Sequence, residues 1–270
     1  TQSFLLLGER GIGKTSLLNL VKFVAEGSIQ VNKTKEKHNF LVIELDITKD
    51  TTQLALIKKI QIALKRKLAK TEPTKKTFGD IWHFISKLEV AGVKINNDKE
   101  IDLEIFFEEF AYSLADTLNR ITKKEGINPL DSFYDGIIII IDETDNASAE
   151  LDLGSFVKLV TERLQKEGTE KLMFGVSGLP KTKEILVASH PSSIRIFEEF
   201  NLDRLTNSEI KQVIEKVLEN SLELNKFQTK ITSEAEELLI EFSEGFPHFI
   251  HQYGYSAFDV SDGITITKEN

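Results

Sequence analysis

Five consecutive isoleucines, Ile137 to Ile141, are followed at once by Asp142 and Glu143. An unbroken β-branched run suits a strand covered on both faces, and such strands belong to parallel sheets flanked by helices. The rest of the chain supplies the neighbours. Phe4-Leu5-Leu6-Leu7, Phe40 to Ile47, Lys171 to Val176 and Arg195 to Leu202 read as further strands. Helical patterns alternate with them. One starts near Lys14 and carries Leu17, Leu18, Leu20, Val21 and Val24. Thr51 to Lys70 aligns Leu54, Ile57, Ile60, Leu64 and Leu68. Leu103 to Lys124 aligns Phe106, Phe107, Phe110, Leu114, Leu118 and Ile121, a stripe that reads as core. Gly154 to Lys166 is the next. This alternation indicates an α/β fold built on a parallel sheet.

After Leu205 the pattern turns helical throughout. Thr206-x-x-Glu209 is a capping box opening a helix through Ile210, Val213, Ile214, Val217 and Leu218, and Ser233-x-x-Glu236 opens another. A third helix runs from about Phe249 to Phe258. The expected organisation is therefore an α/β core over 1–205 and a helical domain over 206–270. Residues 71–100 form a looser insertion holding Pro73 and Gly92, with a helix around Ile81 to Leu88 and a short extended piece, Gly92 to Ile95.

Between the first strand and the first helix stands Gly8-Glu9-Arg10-Gly11-Ile12-Gly13-Lys14-Thr15, continued by Ser16. It matches G-x-x-x-x-G-K-[ST] in the strand–loop–helix context that gives the pattern meaning. Glycines let successive backbone N–H groups point inward around phosphate oxygens, and the following helix adds its positive end. Lys14 is the mobile cation for β- and γ-phosphates; the Thr15 hydroxyl is a hard ligand for Mg²⁺. Arg10 reads as a solvent-facing loop residue.

The carboxylates after the isoleucine run lie where open α/β sheets bind ligands, at the C-terminal ends of strands. Asp142 is placed to hold Mg²⁺ through water and Glu143 to polarise an attacking water as general base, the two roles phosphoryl transfer asks for. A strand ending in a polar turn is the alternative, and the phosphate loop weighs against it. Asp142-Glu-Thr-Asp145 mimics a helicase box, but one nucleotide-binding core fills the chain and no later arginine-rich motif follows. The strand lacks D-x-x-G, Asn225-Lys226-Phe227-Gln228 fails N-K-x-D at its last position, and no L-S-G-G-Q occurs, which disfavours GTPases and transporter cassettes.

Composition narrows the rest. The chain of 270 residues has a net charge of −9 and no Cys, which disfavours a bulk-basic nucleic-acid binder and excludes disulfides and thiolate metal sites. The lack of Cys fits a reducing, cytoplasmic setting, and no apolar run reaches membrane-spanning length. Lys58, Lys59, Lys65, Arg66, Lys67, Lys70, Lys75 and Lys76 form a basic cluster beside Trp82, His83 and Phe84; the solvated face of an amphipathic helix is the favoured reading over phosphate-backbone contact.

The order of these parts resembles the AAA+ ATPases and their STAND relatives, with the closest likeness to the replication-initiator (origin-recognition) and archaeal-type branches. The later parts of the likeness are Phe174-Gly-Val-Ser177-Gly-Leu-Pro180, then His190-Pro-Ser-Ser-Ile-Arg195, then Leu202-x-x-Leu205-Thr206-x-x-Glu209 and Gly245-Phe-Pro247. The resemblance implies a five-stranded parallel sheet of order 5-1-4-3-2 with a small all-helical lid, and ATP or ADP with Mg²⁺ as ligands. It implies that Ser177 is the sensor facing the γ-phosphate or the attacking water, and that Arg195, with Arg204 as second candidate, is an arginine finger. It implies that Pro247 and His248 lie near the nucleotide, His248 standing where many relatives carry a lid arginine. It also implies adenine-contacting residues ahead of the first strand and a further module, nucleic-acid-binding in some relatives, after residue 270. On this reading the chain is a piece of a longer protein.

Two functions follow from the likeness. One is an ATP-hydrolysing domain whose nucleotide state drives lid movement or assembly with further copies or a partner protein, with nucleic acid reached through the flanking module; Glu143 favours it. The other is a STAND-like nucleotide-gated scaffold with little hydrolysis, which Gly245-x-Pro247 and the missing lid arginine favour.

Overall fold

The computed structural model of the protein describes residues 2–31, 37–68, 103–122, 134–225 and 227–270. They divide into two compact units, Thr1–Leu7 with Leu17–Phe200, and Gly8–Ser16 with Asn201–Asn270. The insertion expected over 71–100, with its helix and extended piece, lies outside the described residues, as do Lys70, Lys75, Lys76 and Trp82 to Phe84 of the basic cluster.

The sheet consists of β1 (Ser3–Gly8), β2 (Leu41–Asp46), β3 (Ile137–Asp142), β4 (Leu172–Gly178) and β5 (Phe197–Leu202). The strand order is β2-β3-β4-β1-β5, the expected order read from the opposite edge. β3 pairs in parallel with β2 and β4, with Ile141 opposite Leu45 on one side and Val176 on the other. Ile137 to Ile141 are at most 3% exposed, so the β-branched run is the interior strand its composition demands.

Helices α1 (Lys14–Ala25), α2 (Gln53–Leu68), α3 (Leu103–Thr122), α4 (Leu153–Lys166) and α5 (Thr182–Ser189) accompany the sheet. The phenylalanine stripe of α3 is buried core: Phe110 stacks on Phe156 of α4 at 6.1 Å, and Phe107 meets it edge-on at 5.9 Å. Phe156 also meets Phe174 of β4, which ties two helices to the sheet through one side chain. Full burial of such a ring stabilises by about 1.5–3 kcal/mol.

Several details differ from the sequence reading. β4 runs on to Gly178, because β1 continues beside it with Leu6 opposite Ser177 and Leu7 opposite Gly178. β5 begins at Phe197, not Arg195, because residues Ser193–Ile196 form a 3-10 turn held by the Ser193 hydroxyl on the Leu186 carbonyl at 2.9 Å. Helix α5 has no counterpart in the reading; it is short, and only Thr182 and Leu186 of it are buried.

The second unit contains α6 (Asn207–Asn225), α7 (Ser233–Ser243) and α8 (Pro247–Val260) around Ile210, Ile214, Ile240 and Ile250. It is not wholly helical: β6 (Lys230–Ile231) and β7 (Thr265–Ile266) form a two-residue parallel pair. The first capping box is present as read, with both the Thr206 N–H and its hydroxyl on the Glu209 carboxylate at 2.8 Å. The second is shifted by one residue. Thr232, left extended by its pairing to Ile266, caps α7 through the Ala235 N–H, and Ser233 is the first helical residue. No helix among the described residues is long and apolar enough to cross a membrane.

Candidate functional site

The predicted site residues fall into two groups, one in each unit. In the first unit, β3 delivers Asp142, half-buried, to the C-terminal edge of the sheet, and Glu143 follows it exposed. Glu143 has φ 54° and ψ 33°, a left-handed conformation that costs a non-glycine residue about 1–3 kcal/mol. Hydrogen bonds hold that turn on both sides. The Glu143 N–H donates to Asp142 Oδ1 at 2.8 Å, and the Glu143 carbonyl accepts from the Asn146 N–H at 3.0 Å.

The next residues are anchors. Thr144 is fully buried, and its hydroxyl donates to the Ser177 carbonyl at 2.7 Å, with Thr182 Oγ1 at 3.4 Å. Asp145 Oδ1 accepts from the Leu179 N–H at 3.3 Å, and Asn146 donates to the Ile47 carbonyl at 3.4 Å. Gly178 is required where these meet: a Cβ there would lie 2.3 Å from Thr182 Oγ1 and 2.7 Å from Thr144 Oγ1. Within the acidic tetrapeptide, Thr144 and Asp145 fasten the end of β3 to β4.

Ser177 is itself fully buried, and its hydroxyl has no hydrogen-bond partner among the described residues. A buried hydroxyl left unpaired costs about 1–3 kcal/mol, which a ligand oxygen or water would recover.

The second unit holds the loop that follows β1. Gly8 and Ile12 are buried, Ile12 packing beneath the loop, while Glu9, Arg10, Gly11, Thr15 and Ser16 are exposed. Gly11 (φ 79°) and Gly13 (φ 100°) take backbone conformations closed to L side chains without strain, and a Cβ on Gly13 would meet nothing within 4 Å. The loop is therefore open over Gly13. Lys14 Nζ folds back to donate to the Gly8 carbonyl at 2.8 Å and the Glu9 carbonyl at 2.9 Å.

The same unit brings the Gly245-Phe246-Pro247 segment to this loop. Pro247 opens α8, and the His248 N–H donates to the Gly11 carbonyl at 3.3 Å. The His248 ring is exposed and tilts against Phe249 at 5.4 Å. Arg204 donates to the Glu9 carboxylate at 3.1 Å and lies 4.4 Å over the Phe246 ring, with Glu244 3.7 Å away. Arg204 is thus engaged within its own unit. Arg195 is carried by a different element, the 3-10 turn ahead of β5, where it is exposed.

Sequence reasoning missed Thr144, Thr182 and Asp145, whose partners lie more than 30 residues away. It weighed Arg204 only as a finger and took Glu9 only as part of the loop. Among the described residues no cluster of three or more His, Cys, Asp or Glu could hold a metal ion. The Thr15 hydroxyl in the second unit and the Asp142 carboxylate in the first are each hard oxygen donors. Donors of this kind suit Mg²⁺, which keeps several waters and takes few protein ligands.

No family model matches the sequence, and no curated protein matches it. Solved structures do. The ORC2 protein of Aeropyrum pernix, in its ADPNP-ADP complexes, has a TM-score of 0.53 at 12% identity, over 97% of this chain and 57% of that one. Its ADP form gives 0.52 at 14% identity, over 96% and 56%. At such identities the likeness is one of fold alone: the chain shares the α/β fold of those structures. It spans a little over half the length of those chains.

Proposed function

We propose that this chain is an ATP-binding and ATP-hydrolysing AAA+-type domain, with 1–205 as core and 206–270 as lid, whose nucleotide state drives lid movement or assembly with further copies. The observation that carries it is the loop from Gly8 to Thr15. It has glycine-only conformations at Gly11 and Gly13, open space over Gly13, and a lysine whose ammonium is parked on the loop's own carbonyls. Such a loop is built for an anion. The fold neighbour from A. pernix, solved with ADPNP and ADP, favours a nucleoside di- or triphosphate as that anion.

The roles follow from the chemistry of the side chains. Backbone N–H groups of Gly11 to Lys14 cradle the phosphates, and Lys14 leaves the Gly8 and Glu9 carbonyls for phosphate oxygens. Thr15 and Asp142 would hold Mg²⁺, which when bound neutralises phosphate charge. Glu143 takes a proton from the attacking water as its oxygen bonds to the γ-phosphorus. The bond from that phosphorus to the β,γ-bridging oxygen breaks, and ADP carries the electrons away. Ser177 supplies the hydroxyl that orients the water or the γ-phosphate. Arg195, exposed and ahead of β5, supplies positive charge to the γ-phosphoryl group of a neighbouring copy.

A second reading, the STAND-like switch with little hydrolysis, draws on a specific observation. Arg204 joins Glu9 of the loop to Phe246 of the lid segment, and His248 adds a backbone bond to Gly11. This fastening suits a gate that senses occupancy without turnover.

Titration calorimetry with Mg·ATP, together with phosphate release by the intact protein, separates the readings. ATP binding abolished in Lys14→Ala is expected on both. Phosphate release by the wild type supports the enzyme, and tight binding without release in every assembly state supports the switch. Unchanged ATP affinity in Lys14→Ala would overturn both.

A further inference from the structure

We propose that Thr144 is a positioning residue that sets Glu143 and Ser177 together, so that the water-activating carboxylate and the sensor hydroxyl move as one unit. The inference rests on the roles given to those two residues above. Thr144 touches neither nucleotide nor water on this view; it acts through its neighbours on both sides.

The geometry is a three-point joint. Thr144 follows Glu143 directly, and its side chain is fully buried. Its hydroxyl spends its proton on the Ser177 carbonyl at 2.7 Å, which fixes the peptide plane carrying the end of β4. Glu143 is meanwhile held at φ 54°, a conformation an exposed glutamate leaves unless its flanks are pinned. Asp142 Oδ1 pins the N-terminal flank, and on the C-terminal flank the Asn146 N–H and the anchored Thr144 act together. Ser177 lies on the far side of the same bond, its own hydroxyl buried and without a hydrogen-bond partner among the described residues. The hydroxyl of Thr144 is therefore a strut between a strained backbone and a side chain with an unmet hydrogen bond.

The strut needs its surroundings. Gly178 leaves room for Thr144 Oγ1, and Thr182 presents a second hydroxyl at 3.4 Å. Valine has the shape of threonine and lacks the bond, so Thr144→Val removes the strut with little change of volume. Thr144→Ser keeps the bond.

The test has two arms, both run on the intact protein. In the first, steady-state phosphate release and ATP affinity are measured for wild type, Thr144→Val and Thr144→Ser. Thr144→Val should lower kcat about tenfold or more while the ATP dissociation constant stays within about twofold, and Thr144→Ser should keep most of the turnover, the split expected of lost transition-state positioning. A wild-type kcat in Thr144→Val, or parallel losses of affinity and turnover, would overturn the proposal. So would loss of turnover in Thr144→Ser, which also serves as the test if Thr144→Val fails to fold. The second arm needs no catalysis. Glu143→Gly relieves a left-handed residue and should raise the urea midpoint of the wild type; in the Thr144→Val background the gain should shrink by about half or more, since the backbone is no longer held there. Equal gains in both backgrounds would overturn the strut. If the wild type releases no phosphate, the general-base reading fails, while this cycle still decides whether Thr144 holds Glu143.

Discussion

The Arg204 guanidinium donates to the Glu9 carboxylate across 3.1 Å, joining residues 195 positions apart in the chain. Its face is occupied as well, 4.4 Å above Phe246. An arginine committed on both edge and face to its own unit serves poorly as a finger for a neighbour. Arg204→Ala should destabilise the protein by about 1 kcal/mol, an exposed ion pair and a cation–π contact each contributing about 0.5–1 kcal/mol at most. Urea unfolding measures this. A Glu9→Gln, Arg204→Ala cycle should show coupling, and additive effects would remove the pair from the account.

Glu143→Gln should bind Mg·ATP as the wild type does and lose turnover by a factor of about 10² or more, because an amide keeps the shape but accepts no proton. Single-turnover phosphate release reads it. Release at the wild-type rate would take the base away from Glu143.

Arg195 should act across copies. Fingers of this kind are worth about 10³-fold or more in rate. Arg195→Ala and Glu143→Gln proteins, each inactive alone, should regain partial activity when mixed, since some interfaces then pair an intact Glu143 with an intact Arg195. Full activity of Arg195→Ala alone, or no recovery in a demonstrated mixed oligomer, would remove Arg195 from the chemistry.

The capping box at α6 carries a pH signature. The Glu209 carboxyl is held below the usual carboxylate range, first by the Thr206 backbone N–H and then by the Thr206 hydroxyl. A depressed folded-state value means that this stabilisation is fully present above the unfolded-state value and is lost as pH falls through the folded one. The urea midpoints of wild type and Glu209→Ala should therefore differ at neutral pH and converge in acid. A gap that persists unchanged in acid would contradict the assignment.

What could be read from the chain follows from how far each interaction reaches. Ile137 to Ile141 announce an interior strand because burial on both faces leaves no alternation to interpret. The turns at Gly11 and Gly13 are equally local, since only glycine takes those φ values comfortably. The capping of α7 by Thr232 hangs on the pairing of Thr232 with Ile266, and the neighbouring Ser233 offers the same chemistry one residue later. Helix α5 has a single buried aliphatic side chain, Leu186, too little to set a helical period. The strut from Thr144 to Ser177 bridges 33 residues, and a threonine between acidic residues carries no mark of it.

The loop from Gly8 to Ser16 groups with Asn201–Asn270, so its packing partners are made long after it. Leu202 closes over Gly8, His248 over Gly11, and Arg204 over Glu9. During synthesis the loop leaves the ribosome roughly 200 residues before these partners, a delay of about 10–40 s at ordinary elongation rates. For that interval the nascent protein carries the loop without Leu202, Arg204 and His248 packed against it. The loop therefore reaches its final packing only once residue 248 has been made, long after the strand and helix that flank it in the sequence.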